Sequence, residues 1–147
     1  MKKLVYGLVT ACGIAVTPAL AQTVTYACQY VKNGGLVWED GNWRVGRFNT
    51  GNPFFLKTEN GSLTPESVRG VFGQASGARS SPLEYVCTPA VGIEPSHQAC
   101  INYIGTALSF STTSMAGTVA MLTGGTQPKE DSRKDTLHVA PFVCTKV

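Results

Sequence analysis

Apolar and polar side chains alternate along much of the chain with a period of two residues. In the clearest run, 23–31, one face carries Val24, Tyr26, Cys28 and Tyr30. Further alternating or apolar runs lie at 36–39, 42–48, 54–57, 83–88, 99–104, 107–111 and 136–145. A period of two is typical of a half-buried β-strand. Short strands with turns roughly every eight to twelve residues predict an all-β fold, a small antiparallel β-barrel or sandwich of about eight strands.

A tight hairpin is predicted where Asp40 and Gly41 separate two of these runs. Asp-Gly suits a two-residue turn because both positions take positive φ angles. The turn places Trp38 opposite Trp43. Paired indoles stabilise a hairpin or enter a core, whereas an exposed pair forms an aromatic platform for a sugar or a partner protein. Trp38 and Trp43 are therefore candidate binding residues as well as candidate packing residues.

One short helix is predicted after Thr64, which is suited to cap it. Pro65 suits the first helical position, and Glu66 complements the helix dipole. The apolar residues that follow have helical spacing: Val68, Val71 and Phe72. Gly73 is the predicted end of the helix.

The last third of the chain leaves two local structures open. Residues 117–122 fit either a strand between glycines or a helical turn, and we predict a strand. Pro141 lies inside the last strand and lacks a backbone N–H, so we expect a bulge or an edge position there. The connection at 124–134 carries most of a mixed-charge run, which is typical of a solvated loop.

The N-terminal residues have the features of an export signal. Lys2 and Lys3 precede an apolar segment at 4–16, and the small residues at 19–21 predict cleavage before Gln22. This division leaves a single β-rich domain at 22–147 with no membrane span in the mature chain. An alternative is a lipoprotein anchored at Cys12, which follows Val9-Thr10-Ala11.

Charge argues against a nucleic-acid partner. Without Lys2 and Lys3 the chain has ten basic and nine acidic residues, a net charge of +1. A nucleic-acid-binding protein needs a basic face to neutralise phosphates, and here the two signs are interleaved.

Four cysteines remain in residues 22–147, and an even count in an exported chain favours two disulfides. Of the three pairings, we expect Cys87 with Cys100, which closes a local loop, and Cys28 with Cys144, which ties the first strand to the last. A metal site is the rival use, but no Cys-x-x-Cys is present. His97, three residues before Cys100, is the one spacing that hints at it. We therefore predict no metal, no cofactor and a periplasmic or secreted location.

The segment Ser76-Gly77-Ala78-Arg79, together with Tyr26-Ala27-Cys28 near the mature N-terminus, resembles parts of the bacterial periplasmic inhibitors of c-type lysozyme. These are small antiparallel barrels that insert such a loop into the lysozyme cleft. The resemblance implies a barrel fold and makes Ser76 and Arg79 candidate binding residues. Ser80 stands where the family has an aromatic residue, and a plain connecting loop at 74–82 is the alternative.

No recognised catalytic motif is present. The chain has no Gly-x-Ser-x-Gly elbow, no phosphate-binding glycine motif and no His-Glu-x-x-His motif. We therefore predict no catalytic residues and a non-catalytic exported module that binds another exported protein, as an inhibitor or immunity protein does. The alternatives are a barrel that carries a small apolar ligand, a lysozyme-inhibitor-like periplasmic protein, and an envelope hydrolase.

Overall fold

Antiparallel strands and one helix make up the part of the chain that the computed structural model describes, residues 21–76, 84–89, 96–122 and 136–147. The elements are β1 (Thr23–Tyr30), β2 (Gly34–Glu39), β3 (Asn42–Arg47), β4 (Phe54–Glu59), β5 (Ser62–Leu63), α1 (Pro65–Ser76), β6 (Tyr85–Pro89), β7 (His97–Asn102), β8 (Thr106–Ser111), β9 (Ala116–Met121) and β10 (Thr136–Lys146).

One sheet contains all the strands. Its order is β5-β4-β1-β10-β9-β8-β7-β6, and the β2–β3 hairpin attaches to the first half of β10. The sheet curls into an antiparallel half-barrel, which confirms the predicted fold class. β10 is the long central strand, because β9 pairs along one edge while β1 and β2 share the other.

The concave, inner face of the sheet holds the core. Helix α1 lies against β8, β4 and β9 on this side, with Val68, Val71 and Phe72 buried. The sheet contributes alternating buried side chains, among them Tyr26, Phe54, Leu56, Leu108, Phe110, Val119 and Phe142. Several of the rings meet edge to face, which adds to the burial of apolar area.

The predicted start of α1 is confirmed and its predicted end is wrong. The Thr64 hydroxyl accepts a hydrogen bond from the Ser67 backbone N–H at 3.4 Å, so Thr64 caps the helix. The helix continues through Gly73 to Ser76. A glycine inside a helix costs only about 1 kcal/mol, so Gly73 does not by itself end the helix.

Both predicted disulfides are confirmed. Cys28–Cys144 joins β1 to β10, and Cys87–Cys100 joins β6 to β7. In each case the two cysteines are direct partners in the ladder. The first bond fastens the two ends of the described chain at the centre of the sheet.

The predicted hairpin is confirmed in its turn and its register. Asp40 and Gly41 have φ angles of 52° and 74°, and Trp38 pairs with Trp43. Positive φ at both central positions matches the right-handed twist of the strands. The β4–β5 turn at Asn60 and Gly61 has the same form. Residues 116–121 form a strand, as predicted.

Pro141 lies at a break in the ladder on one edge of β10. Its carbonyl accepts a hydrogen bond from the Val31 N–H at 2.9 Å. On this edge β1 ends at Tyr30 opposite Phe142, and β2 begins at Gly34 opposite Val139. Residues 31–33 therefore face only residues 140–141, a bulge of one residue. The expected bulge lies in the partner of the proline rather than in β10.

Three expectations fall mostly outside the described residues: the signal peptide at 1–21, described only at residue 21, the loop at 74–82, of which 74–76 belong to α1, and the connection at 124–134. Within the described ranges, no helix has the length and hydropathy needed to cross a membrane.

Candidate partner-binding face and pockets

The tryptophan pair lies on the β2–β3 hairpin with its rings in contact. The ring centroids of Trp38 and Trp43 are 5.5 Å apart and the rings meet edge to face. Both side chains are partly buried. The pair therefore packs the hairpin and leaves only part of each indole available to a partner.

The convex, outer face of the sheet carries a row of exposed apolar side chains, which we call the outer row. It takes one residue from each of five adjacent strands, all in direct register: Val86, Ile101, Ala107, Ala120 and Val139. Val86 is 66% exposed, Ile101 50% and Val139 47%. Large side chains of this kind are usually buried, so their alignment on one face sets this face apart.

A second row of small and uncharged residues runs beside the first: Thr88, Ala99, Ser109, Thr118 and Pro141. Between the two rows the β6–β9 face holds a groove of about 340 Å³. The two rows contain no charged residue. A partner lying here would remove apolar surface from water without having to desolvate an ion.

The apolar outer surface continues onto the hairpin. Leu36 pairs with Leu137 on one side and with Val45 on the other, and Val45 is 86% exposed. Paired residues lie on the same face of a sheet, so this surface joins the outer row at Val139. We call the two rows with Leu36 and Val45 the apolar outer face.

Strand β6 ends the apolar outer face and forms an edge of the sheet. Among the described residues it pairs only with β7. The Cα atoms of Cys87 and Cys100 are 4.0 Å apart, the close spacing of a pair whose backbone groups point away from each other. The N–H and C=O groups of Tyr85 and Cys87 therefore point away from β7, toward the edge.

A larger cleft of about 700 Å³ lies between the first turns of α1 and the ends of β6 and β7. Arg69, Glu84 and Tyr103 line it, and Tyr103 is 73% exposed. Asn102 lies in its wall and is 4% exposed. The Asn102 Oδ1 accepts the Thr106 N–H at 2.7 Å, while its Nδ2 has no partner among the described residues. The cleft thus offers an aromatic ring, both signs of charge and an unused amide donor.

His97 and Ser109 form a side-chain hydrogen bond that sequence spacing did not suggest. The His97 Nε2 and Ser109 Oγ atoms are 2.7 Å apart across the β7–β8 pair. Among the described residues no carboxylate is hydrogen bonded to His97. Ser109 lies mid-strand between β7 and β9, where backbone N–H groups serve the ladders. The described residues therefore give this pair neither the orienting acid nor the oxyanion donors of a serine hydrolase.

A separate, more polar pocket of about 440 Å³ lies near the β1–β2 bulge, and we call it the amide pocket. Three asparagines line it, Asn33, Asn49 and Asn52, together with Tyr30 and His138. Val119 and Ala140 are buried residues of its wall. The Asn33 Nδ2 donates to the Asn49 carbonyl at 3.2 Å. Two buried atoms of the lining, Asn33 Oδ1 and His138 Nδ1, have no hydrogen-bond partner among the described residues.

The titratable groups of the amide pocket are both biased toward their uncharged forms. Burial raises the pKa of the Tyr30 hydroxyl above 10.0 and lowers the pKa of the His138 imidazole below 6.5. The His138 ring also lies 5.5 Å from the Phe48 ring. At neutral pH the described residues of the lining therefore carry no formal charge.

The residues proposed from the lysozyme-inhibitor resemblance are not brought to any of these sites by the described structure. Ser76 is the last residue of α1, and Arg79 lies outside the described residues. The sequence pattern did not predict the outer row, because the alternation of apolar and polar residues identifies only the inner, buried face of each strand. The sequence does contain a signal for the outer row: the residues of β6 to β10 that alternate with the buried ones are uncharged.

Within the described residues, no three side chains of the His, Cys, Asp and Glu types are grouped so that they could hold a metal ion. A scan of protein-family models and searches of the curated proteins and of the solved structures found no match to this chain.

Proposed function

We propose that this protein is an exported, non-catalytic binding module that recognises another exported protein through the apolar outer face. The observation that carries the proposal is the outer row, five aligned apolar residues of which Val86, Ile101 and Val139 are about half exposed or more. Exposed apolar surface on a soluble domain marks a place where another molecule binds.

The shape of this surface favours a protein over a small molecule. The outer row crosses five strands and therefore extends well beyond the groove beside it. Protein interfaces have a desolvated apolar centre with a polar rim. Here the uncharged rows form the centre, and the exposed Arg47 beside Gly34 belongs to the rim.

Edge strand β6 supplies a mode of binding. An extended segment of the partner would hydrogen bond to the outward backbone groups of Tyr85 and Cys87. Its alternate side chains would fall on the two sides of the sheet, one set toward the groove at Thr88 and the other toward the cleft at Tyr85. The Cys87–Cys100 bond holds β6 in place for this addition.

Two further observations support the class of function. Among the described residues the His97–Ser109 pair has no orienting acid, and α1 and aromatic side chains pack the core of the inner face. Disulfides persist in oxidising compartments, so the two cystines support an exported, periplasmic or secreted location.

Site-specific photocrosslinking in the producing cell tests the proposal. A benzophenone amino acid replaces Ile101 in one variant and Lys57 in another. Lys57 is exposed on the same face of the sheet but lies on β4, away from the two rows. We expect one discrete adduct with an exported protein from the Ile101 position and none from the Lys57 position.

A charge variant provides the second arm. Val139→Asp introduces a carboxylate into the outer row at an exposed position, so the fold tolerates it while an apolar partner does not. The adduct formed at position 101 should be lost in this background. An adduct that persists, equal adducts from positions 101 and 57, no adduct, or an adduct with twice the mass of the chain contradicts the proposal.

A further inference from the structure

The amide pocket contains buried polar atoms whose hydrogen bonds are not made by the described residues. Asn33 Oδ1 is an acceptor and His138 Nδ1 is a donor or an acceptor, and both are buried in the lining of one cavity without a partner among the described residues. Buried polar groups are nearly always hydrogen bonded, because an unmade bond costs about 1–3 kcal/mol. Two such atoms in one cavity indicate that another molecule supplies their missing hydrogen bonds.

The lining limits what that molecule is. A charged ligand would leave water without meeting an opposite charge, because none of the described residues that line the pocket is charged at neutral pH. A purely apolar ligand would leave the Asn33 and His138 atoms unsatisfied. A neutral ligand that both donates and accepts hydrogen bonds satisfies both conditions.

The remaining surfaces of the pocket suit a ring with an apolar face. Tyr30 lies beside Gly51 so closely that a Cβ on Gly51 would be 2.7 Å from the ring carbon Cε2. Gly51 therefore packs directly against the Tyr30 ring, and Tyr30, Val119 and Ala140 supply the apolar part of the lining. Asn49 and Asn52 are exposed and supply amide donors and acceptors nearer the solvent. A volume of about 440 Å³ lies within the range of about 300–1,000 Å³ of small-molecule sites.

We propose that the amide pocket binds a neutral sugar ring, with Asn33 Oδ1 and His138 Nδ1 hydrogen bonded to its hydroxyl groups and the Tyr30 ring beside its apolar face. This is a second site, separate from the apolar outer face, and it does not depend on the proposed function. Hydroxyl groups both donate and accept, which matches an amide oxygen and an imidazole nitrogen equally.

Matched sugars that differ in charge test this assignment. Saturation-transfer NMR and calorimetry on residues 22–147 with glucose and N-acetylglucosamine are compared with the same measurements for glucosamine, a cation, and glucuronate, an anion. We expect a neutral sugar to bind with a Kd in the millimolar range or tighter. Both charged sugars should bind at least about tenfold more weakly, the change in Kd that corresponds to the free energy of about one hydrogen bond.

Two variants locate the site. His138→Phe keeps the ring that contacts Phe48 and removes Nδ1, and Asn52→Ala shortens an exposed residue of the lining. Each should weaken binding, His138→Phe by at least about tenfold. Asn42→Ala, on β3 outside the pocket, should leave affinity unchanged. Thermal unfolding of each variant verifies that it is folded.

Three outcomes overturn the inference. The first is absence of binding by both neutral sugars to the folded protein at millimolar concentration. The second is equal binding of neutral and charged forms, or unchanged affinity in both pocket variants. The third is a crystal soaked in N-acetylglucosamine in which only ordered water bridges Asn33 and His138.

Discussion

Gln98 and Leu63 hydrogen bond across the mouth of the half-barrel, from the Leu63 backbone N–H to the Gln98 Oε1 at 2.7 Å. Leu63 is on β5 and Gln98 on β7, strands that are far apart in the order of the sheet. The Gln98 Nε2 also donates to the Gly61 carbonyl at 2.5 Å. One amide side chain therefore bonds a carbonyl of the β4–β5 turn and an N–H of β5, and it holds the two sides of the curled sheet together.

Replacing this amide should destabilise the fold. Gln98→Leu removes both hydrogen bonds and leaves the Leu63 N–H in a partly buried position without its acceptor. We expect the free energy of unfolding to fall by about 1–3 kcal/mol in urea titrations. Gln29→Leu on β1 is the matched control, because Gln29 is exposed, and it should change stability by less than about 0.5 kcal/mol. Equal effects of the two changes would show that the amide does not hold the two sides of the half-barrel together.

The two disulfides should differ in their contribution to stability. Cys28–Cys144 spans 116 residues and Cys87–Cys100 spans 13. Because a longer loop loses more entropy when it is closed, the double replacement Cys28→Ala with Cys144→Ala should cost about 4–5 kcal/mol, against about 3 kcal/mol for Cys87→Ala with Cys100→Ala. Urea unfolding without reductant measures both. A larger loss from the short-loop pair would contradict the loop-length argument.

The Trp38–Trp43 contact should appear as a coupling free energy. A double-mutant cycle with Trp38→Ala, Trp43→Ala and both together isolates the ring pair from the area that each indole buries. An edge-to-face pair predicts about 0.5–1.5 kcal/mol. A coupling near zero would mean that the rings are neighbours without a stabilising contact. Partner capture by the double variant then tests whether the indoles also contribute to binding.

Stability should fall as the solution becomes more acidic than the ordinary pKa of histidine. Burial lowers the folded-state pKa of His138 below 6.5. The unfolded chain then binds the proton first, so stability is complete above pH 6.5 and decreases as the pH falls toward the folded-state pKa. Urea midpoints from about pH 5 to 8 measure this, and His138→Phe should flatten the profile over that range. An unchanged slope in the variant would assign the pH dependence to another group.

Local features of the fold could be predicted because neighbouring residues determine them. The Asp40–Gly41 turn fixed the register of Trp38, and Thr64 with Pro65 marked the start of α1. The disulfide pairing followed from the even number of cysteines in 22–147 and from their positions in predicted strands. Each of these features depends on residues close in sequence or, for the four cysteines, on a choice among three pairings.

Long-range pairing could not be predicted in the same way. Alternation does not say that β10 lies between β1 and β9, or that Gln98 reaches Leu63. The amide pocket likewise gathers Tyr30, Asn52 and His138 from separate parts of the chain. The His97–Ser109 bond depends on which residues of β7 and β8 are opposite each other. Such sites follow from sheet order, which the local pattern leaves undetermined.

The extra residue in 31–33 has a consequence for how this surface can evolve. In β1 the even-numbered residues point inward, whereas in β2 the even-numbered residues, including Trp38, share the outward side of Val139. Deleting one residue of 31–33 would shift the register of β2 by one residue relative to β1. Every side chain of the β2–β3 hairpin would then move to the opposite face of the sheet. Both tryptophans would then point inward and Arg44 outward. A single-codon deletion could thus exchange the chemistry of an entire hairpin without any substitution within it.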